Sequence, residues 1–262
     1  MQKDSILLPI KAFIKQSPKL TRFLANYVDH FYEDYSVHKV FLEKNRSKIL
    51  KLNLGSGADS MGDNFMNVDY FPMKGVSLCS DVHHLPFRES SVDAVQCMQL
   101  SEHVEDPRKM ALEIYRALKP EAEVFLTVPF MYPYHEAPID LSRWTQEGLK
   151  NLMKEFTPIQ VGVLGGPTAT LVEALHGWLS ILLSFNSDKL YQISYLLLLP
   201  FLKPFKIIDR IILNKYKSSH RLAAMFYFYG KKQKVFPSIT SNEDSFNRSV
   251  KRHRECSYQA FD

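Results

Sequence analysis

The stretch LNLGSGADSMGDNFMNVDY, residues 52–70, sets a glycine pair, Gly55 and Gly57, after one apolar run and Asp69 after the next. Glycines at the end of a strand let backbone approach a ligand closely, because no Cβ stands in the way. An acid at the end of the following strand offers a carboxylate that can take two hydrogen bonds from a diol. A Walker-type phosphate loop is excluded, since no Gly-Lys-Ser/Thr follows after four spacers. The dinucleotide fingerprint fails too, because Ser60 occupies the place of its third glycine. Only nine residues separate Gly57 from Asn67, which is short for a strand–helix–strand crossover of at least about 10–12 residues. Taken alone, the stretch is either a ligand site or a tight turn between strands.

Further candidates follow along the chain. SDVHHLPF places Asp81 just after a third short apolar run, and Glu102-His103 come just after a fourth. VPFMYPYHEAPIDLSRWTQEGL, 128–149, brings Tyr132, Tyr134, His135, Asp140, Arg143 and Trp144 after a fifth. Each has a structural alternative. His103 could cap the next segment, Asp140 and Arg143 could pair across a turn, and His135 stands evenly between site and scaffold. Trp144 reads as core, and His83 and His84 as loop residues.

The elements that must position these residues alternate. Apolar runs at Ile49–Leu54, Phe65–Val68, Val76–Leu78, Val92–Cys97, Val124–Val128 and Ile159–Leu164 are separated by helix-like segments. This pattern predicts an α/β fold, a parallel sheet with helices on its faces. If so, Gly55, Asp69, Asp81 and the segment 97–99 share one edge of the sheet. Asp106 and Pro107 predict a helix start, Met110, Ile114, Ala117 and Leu118 its apolar stripe, and Pro120 its end. A second helix is expected from Thr145, carrying Leu149, Leu152 and Met153. Residues 1–46 read as a helical extension, with Leu20, Phe23, Leu24, Tyr27, Val28 and Phe31 at helical spacing. Residues 223–232 read as one more strand, and 233–262 as a polar, flexible tail.

Composition narrows the class. A chain of 262 residues with 45% apolar content can bury a real core. The net charge of +5 is mild and gathers into no long basic run, so nucleic acid is not called for. Cys79, Cys97 and Cys256 are too few and scattered for a disulfide framework or a zinc site, and no metal is expected. A reducing, cytoplasmic setting is the default. No run of about 18 uninterrupted apolar residues predicts a membrane span.

The ordered set LNLGSG, NVD, DVHHLPF, EHV and LKP resembles the class I S-adenosylmethionine-dependent methyltransferases, in the methyltransferase type 11-like subgroup. The resemblance covers about residues 49–165, and 225–232 look like that family's last strand after an insert. Each motif alone is weak, whereas five in order are specific. The resemblance implies a Rossmann-like open, mostly parallel twisted sheet with an antiparallel last strand, and S-adenosylmethionine as cofactor. It implies that Gly55, Ser56 and Gly57 approach the amino acid end of the cofactor, that Asp69 binds the ribose hydroxyls and that Asp81 meets the adenine. Cys97, Met98 and Gln99 would lie beside the sulfonium, with Asn53, Tyr70 and Val82 also at the cofactor. The chain departs from the family at Asn53, where many members have an acid, and at Lys119-Pro120-Glu121-Ala122, where Lys-Pro-Gly-Gly is usual.

Family members near glycan-synthesis enzymes share a pattern like that of residues 128–149. That implies a small-molecule or saccharide acceptor, a cell-surface glycan precursor among the candidates, with Tyr134, His135, Asp140 and Arg143 toward it. The alternatives are an RNA or protein acceptor, or a non-catalytic binding protein that retains the fold. His135 is the first candidate base and His103 the second. The apolar insert at about 167–217 is a cap over the acceptor, a dimer surface, an extra core layer or a peripheral membrane contact at the inner face. In the last case Lys203, Lys206, Arg210, Lys215 and Lys217 would lie at headgroup level.

Overall fold

The computed structural model describes residues 34–57, 64–135 and 139–233. The helical spacing expected at 20–31 and the tail expected from 234 onward lie outside them.

Seven strands form one sheet. They are β1 (Lys51–Leu54), β2 (Met66–Asp69), β3 (Leu78–Cys79), β4 (Val92–Met98), β5 (Leu118–Pro129), β6 (Phe156–Gly165) and β7 (Met225–Lys232), in the order β3-β2-β1-β4-β5-β7-β6. β1 to β5 pair in parallel, and β7 slots antiparallel between β5 and β6. The sheet is thus open, mostly parallel and Rossmann-like. Its order reverses between β1 and β4, the kind of position where such sheets open a crevice at their carboxyl edge.

Both faces are covered, as the period of two along β7 shows. Phe226 and Phe228 enter one core cluster, while Met225, Tyr227 and Tyr229 enter the other. On the first face sit α2 (Pro107–Ala117), through Met110, Ile114 and Ala117, and α3 (Gln146–Leu152), through Leu149 and Leu152. On the second sits α1 (Ser36–Lys44), whose Phe41 ring stacks near Phe125 and Phe65. α4 (Pro167–Leu182) joins that face through Ala169. Asp106 caps α2 by accepting from the Lys109 amide at 2.8 Å, and Thr145 caps α3 by accepting from the Gly148 amide at 3.0 Å. Each cap is worth about 1 kcal/mol.

The end of α2 differs from expectation. The helix stops at Ala117, and Leu118 already belongs to β5, paired with Val92. Sheet pairing ends the helix before Pro120 can. Glu121 then adopts a left-handed φ of 63° within β5, a conformation glycine takes without strain.

Between β6 and β7 lies a helical layer. It holds α4, α5 (Asp188–Leu202), a 3₁₀ turn (Lys203–Lys206) and α6 (Ile207–Ile211). Asp209 of α6 caps α4 from outside, accepting from the Thr168 amide at 2.8 Å and the Ala169 amide at 2.6 Å. The expectation for Lys203 and Lys206 is corrected here. Both are fully buried rather than at the surface, and both ammoniums bond Glu173 of α4. Burial alone would raise the Glu173 carboxyl, but the two lysines hold it below its ordinary value. No described helix is long and apolar enough to cross a membrane.

Candidate active site

The carboxyl ends of β1, β2 and β3 bring the first set of candidates together. Gly55 and Gly57 both take left-handed φ, 66° and 57°. Their reasons differ. A Cβ on Gly55 would lie 2.8 Å from Leu100, the residue that leads out of β4, so the two loops meet tightly at the reversal of strand order. Among the described residues a Cβ on Gly57 would meet nothing within 4 Å. The Gly57 amide donates to Asp69 Oδ2 at 2.8 Å, and the Phe71 amide to Asp69 Oδ1 at 3.0 Å. A carboxylate has about four acceptor positions, so each oxygen keeps capacity for a diol. Ser56 is tied to β2 through its amide and the Val68 carbonyl, 3.3 Å apart.

Asp81 joins this edge through Ser80, whose amide donates to the Asp69 carbonyl at 2.9 Å. Asp81 Oδ1 accepts from the His83 amide at 2.8 Å and lies 2.7 Å from His83 Nδ1. The amide first, then the imidazole, hold the Asp81 carboxyl below its ordinary value. His83 is therefore the partner that orients Asp81, a role that nothing local in SDVHHLPF announces. Tyr70 is exposed beside Asp69, edge-on to Phe71. Gln99 follows β4 with φ 50°, its Nε2 3.3 Å from Thr127 Oγ1 and 3.2 Å from the Met225 sulfur. Thr127 Oγ1 lies 3.9 Å from the Met98 sulfur.

Three candidates have side chains committed elsewhere. Asn53 is buried and donates to Asn67 Oδ1 at 3.0 Å, cross-linking β1 and β2. Val82 and Cys97 are in the core, where burial pushes the Cys97 thiol up.

The second set gathers after β4 and β5, which are neighbours. Asp140 accepts from the His135 amide at 3.0 Å and from both terminal nitrogens of Arg143. Arg143 also donates to the Tyr132 and Pro133 carbonyls at 3.3 and 3.2 Å. The pair thus buckles the loop that carries His135. The Arg143 guanidinium, against opposing burial, holds the Asp140 carboxyl down at about 2. Tyr134 projects into solvent. The His135 ring stands edge-on to His103 at 5.2 Å and to Tyr132 at 5.6 Å. Trp144 packs against the core.

Sequence reasoning named Glu102 only as part of a motif. It is fully buried, and neither carboxylate oxygen has a hydrogen-bond partner among the described residues. Burial pushes its carboxyl up to about 7, with the Arg143 charge opposing.

With this geometry in view, residues 54–126 match the family described as "Methyltransferase domain". The matched residues run from the end of β1 into β5, and so include Gly55, Gly57, Asp69, Asp81 and Glu102. Among curated proteins, a tRNA U34 carboxymethyltransferase of Campylobacter curvus is 44% identical over 50 residues. That is 19% of this chain, and the chain covers 17% of that relative's length. A putative sarcosine dimethylglycine methyltransferase from Galdieria sulphuraria is similar in structure, with TM-score 0.47 and 12% identity over 76% of this chain and 84% of that one. Phosphoethanolamine N-methyltransferase 2 of Haemonchus contortus, in complex with S-adenosyl-L-methionine, gives TM-score 0.43 and 18% identity, covering 75% and 52%.

Proposed function

We propose that the chain transfers a methyl group from S-adenosylmethionine to a small-molecule or saccharide acceptor, a cell-surface glycan precursor being the favoured class. The observation that carries the cofactor half is the Gly57 amide 2.8 Å from the Asp69 carboxylate, at the carboxyl edge beside the reversal of strand order. In this reading the glycine loop holds the amino acid end, Asp69 takes the ribose hydroxyls and Asp81, oriented by His83, takes the adenine amino group. The methyl group is supplied by a cationic sulfonium and moves by in-line displacement, so the protein mainly aligns the acceptor and receives its proton. His135, carried on the loop that Asp140 and Arg143 buckle, is the proposed proton acceptor, with His103 beside it. Tyr134 lies at the acceptor side.

The functional unit is taken as residues 47–232, with 167–217 an insert and 1–46 and 233–262 as appendages. The insert supports a cytoplasmic protein that sits at the inner face of the membrane. No residue of α5 is buried, and Leu197 and Phe201 are 65% and 73% exposed. An apolar helix face of that kind suits an acceptor on a lipid carrier.

A second reading gives the same chemistry to RNA. It is favoured by the 50-residue match to the tRNA U34 carboxymethyltransferase, and the mild net charge weighs against it. Methyl-labelled cofactor and purified protein, incubated with lipid-linked saccharide and with total RNA of the host, separate the two. Label in the saccharide fraction supports the first reading. Label in the RNA fraction alone replaces it.

A further inference from the structure

We propose that Glu102, His103 and His135 form a binding site for one divalent transition-metal ion of the Zn2+ class. Each offers a donor atom, and the three donors lie within 4.8 Å of one another. Glu102 and His103 sit in the 3₁₀ turn Ser101–His103 after β4, and His135 sits on the loop after neighbouring β5.

Three features suit an ion rather than a packing arrangement. Glu102 is fully buried, with no hydrogen-bond partner on either oxygen among the described residues, and Oε1 lies 3.9 Å from His103 Nε2. A buried carboxylate without a donor is costly, and a cation is one way to satisfy it. His103 Nδ1 lies 2.5 Å from the Ile139 carbonyl, so it must carry the proton there, which leaves Nε2 as a free lone pair. His135 Nδ1 lies 3.3 Å from both the Pro133 carbonyl and Asp140 Oδ2, with the same consequence. A second nitrogen tied to a carbonyl or carboxylate is how metal-binding histidines are usually oriented.

Two imidazoles and a carboxylate suit Zn2+ and its first-row neighbours, whereas Mg2+ and Ca2+ prefer oxygen donors. Ligands at about 2.1 Å in a tetrahedron stand roughly 3.4 Å apart, so binding closes the cluster by about an ångström. Three protein ligands leave at least one position open. In this proposal an acceptor hydroxyl fills that position. The inference rests on the methyltransferase reading only for the identity of that molecule. An ion held there takes over the imidazole lone pairs, so in the ion-bound protein His135 gives up the proton-acceptor role proposed above and the acceptor's proton passes to solvent. The three donors stand on two segments about 30 residues apart in the sequence and meet only in the fold.

The test uses the full chain, stripped with a chelator and titrated with Co2+ while the visible absorption is followed, and with Zn2+ by calorimetry. One equivalent is expected to bind. His135→Ala alters an imidazole that is one-third exposed and is expected to weaken binding at least about tenfold. Glu102→Gln should do the same, and if it does not fold, His135→Ala decides alone. Absence of one-to-one binding, or unchanged affinity in His135→Ala, overturns the proposal. S-adenosylmethionine titrated into the same samples keeps the two readings apart. Cofactor binding without ion binding sinks only the ion site. Ion binding without cofactor binding sinks the methyltransferase reading and leaves the ion site standing.

Discussion

In the sheet, Leu52, Leu54, Val95, Val124 and Leu126 are fully buried, and the candidate site residues collect at the carboxyl edge. In the helical layer between β6 and β7 the order is reversed. Glu173, Lys203, Lys206 and Asp209 are buried there, while Trp178, Phe185, Leu197 and Phe201 face outward. The sheet is held by area removed from water, which is non-directional. The layer is held by charge pairs and a helix cap, which are directional and strong only when every partner is present. The difference teaches that the layer buries its charge pairs while leaving large apolar side chains outward. They are available for contact with something else.

The comparison breaks most severely at Glu173. Glu173→Gln deprives two fully buried ammoniums of their shared carboxylate and should cost about 3–5 kcal/mol of stability, read by denaturant unfolding. Replacing Gly55 disturbs the sheet edge instead. Gly55→Ala forces a side chain into a left-handed φ of 66° and toward Leu100, and should cost roughly 1–3 kcal/mol, with weakened cofactor binding. An outward leucine should behave in the opposite way. Leu197→Asp should leave unfolding within about 0.5 kcal/mol of the parent. It should lower binding to anionic phospholipid vesicles by about tenfold, the loss of one side chain's burial. Vesicle binding unchanged in that variant would remove the membrane half of the comparison.

The smallest effect is in acid. Asp93 Oδ1 accepts from Lys119 at 2.7 Å, and Oδ2 from the Leu50 amide at 2.9 Å. Against the opposing effect of burial, these partners hold its carboxyl below the ordinary value. A depressed folded-state pKa contributes stability that is complete above the unfolded value of about 4 and is lost as pH falls through the folded value. Lys119→Ala should therefore lower stability slightly near neutrality and narrow the further loss below about pH 4, seen in thermal midpoints against pH.

What the sequence made legible was local. Asp106-Pro107 announced α2, and the apolar, aromatic run stopped by Gly230 and two lysines announced β7, because caps and strand ends are written in neighbouring residues. The glycine pair and Asp69 were legible as a loop and an acid for the same reason. The end of α2 was not, because pairing of Leu118 with Val92 overrides the proline two residues later. Burial of Lys203 and Lys206 was not, because their partner Glu173 stands about one helix earlier in the chain and a basic residue among leucines suggests a headgroup. Glu102 lies between Ser101 and His103, so no apolar neighbour hinted that it is sealed from water. Charged groups brought together from distant segments leave no period to read.

The central claim is that the edge formed by Gly55, Gly57, Asp69 and Asp81 binds S-adenosylmethionine. Calorimetric titration of the cofactor into the parent chain and Asp69→Ala tests it most directly. Removing a carboxylate that takes charge-assisted hydrogen bonds should cost about 1.5–3 kcal/mol of binding, a roughly 10- to 100-fold rise in Kd, and should also lower the thermal midpoint of the free protein, because the Gly57 and Phe71 amides lose their acceptor. Absence of binding to the parent chain, or equal affinity in the variant, would contradict it.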